Sequence, residues 1–462
     1  MNILLVSPFR GTMLELSGIK IQPLGISYIA AALKQAGHNV QIDLLENADS
    51  TPDFTGAEVV GISCNTVQFK PGLQVAKAAK EEGKIVITGG PHPTSCPEEA
   101  LGSGYVDYVV RAEGEVTVVK LLEGLKSGHD FNPKNILGIS YVDKETGIIV
   151  HNPNRPFIQN LDRVPFPVRE ANWRYGQESK STNSEPTEYP VITSRGCPYG
   201  CNFCQVNFLA GKKFRTRSIE SVVKEVETII TKHKAERVIF VDDIINFDNE
   251  RLINLFEELI KRDLPVVSWV MGRSDHLLKD PEAAEIMARA GVRQMFLGIE
   301  SPNERTLQAY KKGGKISSDY SIKAVELLRQ NNIETWGAFL LGEPSETEDD
   351  IKRTIDFAKF LNPGIAEFSI LTPYPGTGLW REVENRIFTK DWDKYDAMHS
   401  VFKPNYLEPE TLERWLRKAY LSFYRRPKKI LQAIFDKNHY GRPDFKQVLK
   451  AFRAIKTIFS KS

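Results

Sequence analysis

Three cysteines fall within eight residues, Cys197, Cys201 and Cys204, in the stretch SRGCPYGCNFCQ. The spacing is C-x3-C-x2-C, and thiolates this close on one loop can face a single inorganic centre. A structural zinc ion asks for four ligands in a tetrahedron. The neighbouring sequence offers no fourth, since the nearest histidines are His151 and His233. A [4Fe–4S] cube takes one ligand per iron, so three cysteines would leave one iron open to a substrate or cofactor. The pattern points to a cluster that does chemistry. The competing readings are a zinc site completed from afar and a set of buried free thiols.

The elements that must position the triad come in two series. Up to about residue 125, short apolar runs (ILLVSP, NVQIDLL, EVVGISC, KIVITGG, VDYVVRAEGE) alternate with helical stretches (LGISYIAAALKQAG, GLQVAKAAKEEG, TVVKLLEGLKSG). Strands rich in Val and Ile alternating with amphipathic helices predict βαβ units and a parallel sheet. Ligands of such sheets bind beyond the carboxyl ends of the strands, here the loops 7–25, 63–72, 89–95 and 112–115. GISYVDKETGIIVH predicts a hairpin, and the polar, aperiodic RYGQESKSTNSEPTEYP a linker. From about 189 to 375 six more strand-like runs follow: YPVITS, RVIFVDD, VSWVMGR, QMFLGIES, TWGAFLLG and EFSILTPY. They predict a full or partial βα barrel, whose chemistry sits at the carboxyl ends of its strands. The cysteines come just after the first of these.

Composition narrows the class. The 462 residues carry a net charge of +2, with apolar, charged and aromatic shares of a soluble globular protein. No apolar run approaches the roughly 20 residues of a membrane span. MNILLVSPFRG reads as a first strand rather than a signal peptide, so a cytoplasmic location is expected. Five cysteines in this length do not make a disulfide framework. The charge is uneven: Arg414 to Ser462 holds fourteen Lys or Arg against two Asp, with Trp415, Tyr420, Phe423, Tyr424, Phe435, Phe452 and Phe459 among them. That basic region suits a membrane surface or an acidic partner; the plainer reading is a solvated helical face.

C-x3-C-x-aromatic-C, with Phe203 before Cys204, resembles the signature of the radical S-adenosylmethionine (SAM) enzymes. FLGIESPNERTLQAYKKG, FLLGEPSETEDDIKRTIDFAKFL and TPYPGT resemble later units of their barrel. PLGISYIAAAL, VGIS, GGPHPT and RAEGE resemble the cobalamin-binding domain often fused to it. Over roughly 1–125 and 189–380 the chain is similar to the cobalamin-dependent (class B) radical SAM methyltransferases. The resemblance implies an α/β chain: a Rossmann-like, doubly wound cobalamin-binding domain (1–145), a linker (146–188), a radical SAM partial (β/α)6 barrel (189–385) and a small, basic, mainly helical C-terminal region (386–462).

It also implies site residues. Cys197, Cys201 and Cys204 would hold a [4Fe–4S] cluster whose open iron SAM chelates. Phe203 would flank the cofactor. Asp242 and Asp243 would face SAM's amino group, Arg273 its carboxylate, and Glu300 and Ser301 its ribose or amino group. Gly298 and Gly342 would let backbone approach the cofactor. For each, a salt bridge or helix cap is the plain alternative. Tyr374, Pro375 and Gly376 would close the pocket or simply pack. Cobalamin would meet Cys64, Asn65, Thr66 and Val67 near its ring, and Leu24, Gly25 and Ser63 would also bind it. Gly89, Gly90 and His92 suit its tail, and Glu113 and Gly114 the tail's far end. The first loop, SPFRGTMLELSG, lacks the histidine of the D-x-H-x-x-G pattern, which implies base-off cobalamin without a histidine lower ligand. Cys64 and Cys96 read as ordinary buried thiols.

The implied reaction is anaerobic: SAM is cleaved to a 5′-deoxyadenosyl radical, and a methyl group passes through methylcobalamin to an unactivated carbon. The substrate would be a lipid, a tetrapyrrole, a natural product or a protein side chain such as a glutamine of methyl-coenzyme M reductase. A non-methylating cyclase using the same cofactors is the rival; a non-catalytic cobalamin carrier or sensor is the remote one. Ferredoxin or flavodoxin would supply electrons, and no nucleic acid is expected.

Overall fold

The computed structural model describes residues 1–9, 21–47, 50–128, 131–174, 181–182, 188–264 and 267–429. Two compact units share the chain. One takes Met1–Glu15, Lys20–Thr187 and Gln205–Gly211; the other takes Leu16–Ile19, Glu188–Cys204 and Lys212–Ser462.

In the first unit the apolar runs form β1 (Asn2–Ser7), β2 (Asn39–Leu45), β3 (Val59–Ser63), β4 (Ile85–Gly89) and β5 (Tyr108–Val110). They pair in parallel in the order β5-β4-β3-β1-β2. Ile3, Leu5, Val40, Ile42, Leu44 and Val59 are all buried, as expected of strands covered on both faces. The helices α1 (Leu24–Gln35), α2 (Phe69–Glu81), α3 (Pro91–Ser95) and α4 (Glu115–Ser127) fill the crossovers. From β1 the strand order runs to β2 on one side and to β3 on the other, and that switch point is where a doubly wound sheet opens a ligand crevice. The expected hairpin is present as β6 (Ile139–Val142) and β7 (Ile149–His151), which extend the sheet antiparallel beyond β5. The stretch 146–188 is therefore more than a linker. Besides β7 it supplies β8 (Asn172–Arg174), parallel to β2, and β9 (Ser181–Thr182), antiparallel to β8. Its low hydrophobicity concealed strands that lie at the sheet's edge.

The second unit is a six-stranded, wholly parallel sheet: β10 (Tyr189–Val191), β13 (Val238–Phe240), β14 (Val267–Gly272), β15 (Gln294–Glu300), β16 (Glu334–Leu341) and β17 (Ile365–Ile370), in chain order. Between the first two, β11 (Ser194–Arg195) and β12 (Arg215–Thr216) pair antiparallel. The helices α5 (Ile219–His233), α6 (Asn249–Lys261), α7 (Glu282–Arg289), α8 (Ser318–Gln330) and α9 (Glu348–Leu361) bury one apolar stripe each against a single core. This is the expected half-barrel of six βα units.

A half-barrel leaves an edge, and an unpaired edge strand invites aggregation. Here α10 (Pro409–Tyr424) covers β17. Its Leu412, Leu416, Ala419 and Phe423 enter the barrel core. The Tyr420 hydroxyl accepts from the Phe368 N–H (3.2 Å) and donates to the Phe368 carbonyl (2.9 Å). The Tyr424 hydroxyl does the same for Ala366, at 3.1 and 3.0 Å. Four residues of helix rise about 6 Å and two of strand about 6.6 Å, so an i, i+4 tyrosine pair matches alternate edge residues. The aromatic residues read from sequence as part of a basic tail are, up to Tyr424, the barrel's edge guard. Arg414, Arg417, Lys418 and Arg425 line a shallow groove on α10 around Leu421; Phe435, Phe452 and Phe459 lie outside the described residues. Replacing both tyrosines by phenylalanine strands two N–H and two C=O groups. We expect a loss of about 2–4 kcal/mol, read from urea unfolding. Among the described residues no helix is long and apolar enough to cross a membrane.

Candidate active site and cofactor-binding residues

β11 and β12 pin the base of the segment that carries the triad, with Ser194 opposite Thr216 and Arg195 opposite Arg215. The Gly196 N–H donates to Asp243 Oδ2 at 3.3 Å. Asn202 anchors the middle: its N–H donates to the Tyr310 carbonyl (2.9 Å) and its carbonyl accepts from the Leu379 N–H (2.7 Å). The Cys204 N–H closes a turn on the Cys201 carbonyl at 3.2 Å. The Phe203 ring meets Tyr310 edge-on, centroids 5.3 Å apart, against Leu371, Leu379 and Phe402. The loop is thus fixed by its backbone and by Phe203, and its three thiols are partly buried and not joined in a disulfide. Burial pushes the Cys201 thiol up to about 11 and raises Cys197 as well. A bound metal centre must displace those protons. Among the described residues, no three His, Cys, Asp or Glu side chains converge on one ion. Three thiols without a fourth Cys or His nearby in the sequence fall one short of a zinc tetrahedron, whereas a cube takes one cysteine per iron and can keep one iron open. The donor set suits the cube.

The expected SAM residues sort into two groups. Asp243 is exposed beside the cysteine loop; surrounding protein, then the Asp242 charge, push it up to about 6. Asp242 is buried and serves the fold: its Oδ1 accepts from the Thr193 N–H (3.0 Å), Thr193 Oγ1 (2.9 Å) and Ser194 Oγ (2.5 Å), tying β13 to the end of β10. Arg273 has another task than the carboxylate contact expected of it. Its guanidinium forks onto Asp275 (3.0 and 3.1 Å) and donates to the carbonyls of Lys312 (3.1 Å) and Gly313 (2.8 Å). It also lies over the Tyr199 ring, 3.6 Å from its centroid. Arg273 therefore clamps the 312–315 loop against the cysteine loop. Glu300 ends β15 at a register shift, in the left-handed region (φ +58°). Its carboxylate pairs with the buried Lys312 ammonium, which also donates to the Gly298 carbonyl. A side chain at Gly298 would strike Glu300 Oε1 at 2.6 Å, and one at Gly342 would strike Leu412 of α10 at 2.5 Å. Both glycines thus make room for neighbouring protein groups. Ser301 is equally structural: its hydroxyl meets Thr354 (3.3 Å) and accepts from the Asn303 N–H (3.2 Å). The Tyr374 hydroxyl packs onto the Tyr395 carbonyl at 3.1 Å. Lys312, Asp275, Tyr199 and Tyr310 were not read from sequence. A lysine in YKKGG looks like an exposed turn, and only the fold buries it.

In the first unit, the residues expected at cobalamin meet at the ends of β3 and β4. The Cys64 N–H donates to the Gly89 carbonyl (3.0 Å), and its carbonyl accepts from the His92 N–H (3.3 Å). Gly90 (φ +94°) lets these loops touch, since a side chain there would meet the Cys64 carbonyl at 2.7 Å. Burial pushes the Cys64 thiol up to about 12, leaving it inert. His92 is fully buried, its ring 4.2 Å from that of Phe69, and burial holds it neutral, down to about 4. Asn65 and Gln68 cap one another's N–H groups (3.0 and 3.1 Å). Gln68 also donates to the Pro8 carbonyl, bridging β3 to β1 across the switch point. The buried hydroxyls of Thr66 and Thr88 have no hydrogen-bond partner among the described residues, and nothing lies within 4 Å of a side chain placed at Gly25. Buried polar atoms are seldom left unpaired; these fit a polar ligand at the strand ends. Leu24 is buried at the start of α1 and Ser63 ends β3. Val67 follows in the same loop. Glu113 and Gly114 serve the fold: Glu113 accepts from the Ile158 N–H (2.7 Å), and Gly114 gives way to Ile29 and Val110.

With this geometry in hand, comparison places the chain among known proteins. The Radical SAM superfamily model matches residues 191–358 and the B12 binding domain model residues 13–122. The chain is 34% identical over 454 residues to an uncharacterised methyltransferase of Pyrococcus horikoshii, covering 96% of each. It is 30% identical to the bacteriochlorophyllide d C-12(1)-methyltransferase of Chlorobaculum tepidum, over 88% of this chain and 84% of that one. Against the anaerobic magnesium-protoporphyrin IX monomethyl ester cyclase of Rubrivivax gelatinosus the identity is 27%, over 98% and 82%. Among solved structures, the cobalamin-dependent SAM radical enzyme OxsB, with aqua-cobalamin and SAM bound, superposes with a TM-score of 0.71 at 18% identity, over 100% and 79% of the two chains. That likeness bears out the α/β fold.

Proposed function

We propose, for a chain that belongs to the cobalamin-dependent radical SAM methyltransferase family, that it methylates an unactivated carbon. The observation that carries this reading is a cysteine triad without a nearby fourth ligand, at the strand-end rim of a half-barrel, in a chain that also has a B12 binding domain. When bound, the cluster supplies the electron that splits SAM, and cobalamin carries the methyl group. Cys197, Cys201 and Cys204 would hold the cluster with one iron open. Phe203 and Tyr310 shield the loop from water on one side. Arg273 and Asp275 keep the 312–315 loop closed over Cys201, and Asp243 and Glu300 present carboxylates near the rim. Thr66 and Thr88 would donate to cobalamin. A ferredoxin or flavodoxin would deliver the electrons.

The test is anaerobic turnover with deuteromethyl-SAM, a strong reductant and extracts of candidate substrates, read by mass spectrometry. Matched 5′-deoxyadenosine and S-adenosylhomocysteine, with label in a new compound, are expected. 5′-Deoxyadenosine without substrate-dependent S-adenosylhomocysteine would replace methyl transfer by the cyclase-like reaction. Absence of both from cluster- and cobalamin-loaded protein would overturn the assignment.

A further inference from the structure

Pro198, Tyr199 and Gly200 join Cys197 to Cys201. Pro198 and Gly200 are exposed, and nothing lies within 4 Å of a side chain placed at Gly200. Tyr199 ties this span to the barrel. Its ring lies under the Arg273 guanidinium. It also rests against the 312–315 loop, where a side chain at Gly313 would meet it at 3.1 Å. Its hydroxyl is hydrogen-bonded to His276 Nε2.

His276 is itself held firmly. It belongs to the short helix Ser274–Leu277 that follows β14, and it is 4% exposed. Its ring packs on Phe247, centroids 5.3 Å apart, and Phe247 packs on Phe214 at 5.0 Å. The Asn249 side chain donates to its carbonyl at 2.8 Å. Just before the helix, the Asn246 side chain bonds both the N–H and the carbonyl of Arg273, each at 2.9 Å. The Arg273 stack tolerates sliding, because a cation over a ring has a broad range of good positions. A hydrogen bond is directional, so His276 fixes where the phenol ring sits in its own plane. What that ring carries is a backbone donor: the Tyr199 N–H bonds to the Cys197 sulfur. Hydrogen bonds to the sulfurs help set the potential of an iron–sulfur cluster. The reduced cluster is the more negative, so it gains more from a donor than the oxidised one does.

We propose that His276 is a positioning residue: through the Tyr199 hydroxyl it holds the Tyr199 N–H on the Cys197 sulfur, and so raises the potential at which the cluster accepts its one electron. The inference rests on the cluster of the function proposed above and is independent of the substrate. The test is an anaerobic redox titration of the full chain loaded with cluster and cobalamin, without SAM. The reduced cluster is followed by its low-temperature electron paramagnetic resonance signal, and iron content is measured beside it.

Tyr199→Phe removes one oxygen and keeps the ring under Arg273. At a fixed potential its ratio of reduced to oxidised cluster should fall about tenfold, a shift of about 59 mV downward for one electron. His276→Leu should match it, and the double variant should go no further, since both changes break one chain of contacts. His276→Gln, whose amide can meet the hydroxyl, should recover most of the loss. Iron content should equal that of wild type throughout, because no sulfur is touched. An unchanged potential in Tyr199→Phe would overturn the proposal, as would a double variant whose shift is the sum of the two singles. Should His276→Leu fail to fold, Tyr199→Phe alone decides. Iron lost from Tyr199→Phe also refutes it, since the tether would then build the site rather than tune it. Wild-type protein that takes up no cluster removes the proposed function and this inference together; a cluster whose potential ignores Tyr199 removes this inference alone.

Discussion

Protein carrying Cys201→Ala, reconstituted anaerobically with iron and sulfide, will hold less than about a tenth of the wild-type iron and yield no 5′-deoxyadenosine above background. Removing a group that merely orients a metal ligand already costs ten- to a hundredfold in affinity, and here a ligand itself is lost, leaving two thiols for four irons. The fold should survive the change. The loop is held by the backbone bonds of Asn202 to Tyr310 and Leu379 and by Phe203 in its apolar cluster, none of which uses the Cys201 sulfur. That sulfur's contact is a 4.0 Å approach to the Lys312 carbonyl, worth little. The melting temperature of the metal-free variant should therefore match that of metal-free wild type. Cys96→Ser, in the other unit, is the control and should keep its iron. Iron content and SAM cleavage retained in Cys201→Ala would remove the cluster from Cys197, Cys201 and Cys204.

What could be read in the sequence follows a physical division. The eleven strands and their helices were legible because each buried sheet face demands apolar, β-branched or aromatic residues at the strand's period, which periodicity separates from helices. The triad was legible because its chemistry is local: three thiols on eight residues need no fold to bring them together. Arg273 shows where local reading stops. A lone arginine at a strand end suggests an anion, yet its fork is closed by Asp275, two residues away, and by carbonyls some forty residues downstream. Lys312 was illegible for the same reason, since no pattern within YKKGG reports that Glu300 lies over it. The tyrosines of α10 were hidden by composition. Their neighbours Arg414, Arg417 and Lys418 gave the segment the look of a solvated tail, while the hydroxyls cap an edge strand that lies fifty residues earlier. β8 and β9 were missed because an edge strand needs little hydrophobicity. In each case the missing information was a long-range partner.

Lys312→Met will destabilise the chain by about 3–5 kcal/mol, the cost of leaving a buried carboxylate without its counter-charge. Glu300 and Lys312 are 7% and 5% exposed, so water cannot replace the lost partner. The ammonium also holds the Gly298 carbonyl where β15 breaks register, and Glu300 keeps a left-handed backbone that costs a non-glycine residue about 1–2 kcal/mol. The pair is what fixes that strained turn. Glu300→Gln alone should also be costly, because it strands the ammonium. The double variant should recover much of the loss, since two neutral groups of similar size need no counter-charge. A double-mutant cycle by urea unfolding, anaerobic and metal-free, should give a coupling energy above about 2 kcal/mol, within the range found for residues in contact. A coupling near zero would mean that the two charges are solvated separately. The variant also separates two tasks meeting at one loop. Lys312→Met keeps all three thiols and the backbone carbonyl that Arg273 grips, so iron content should persist where Cys201→Ala loses it. SAM affinity, measured by dialysis on the loaded protein, should fall at least about tenfold as the Glu300 turn relaxes. Loss of iron from Lys312→Met would instead assign the lysine to the cluster loop rather than to the strand end proposed to face the cofactor.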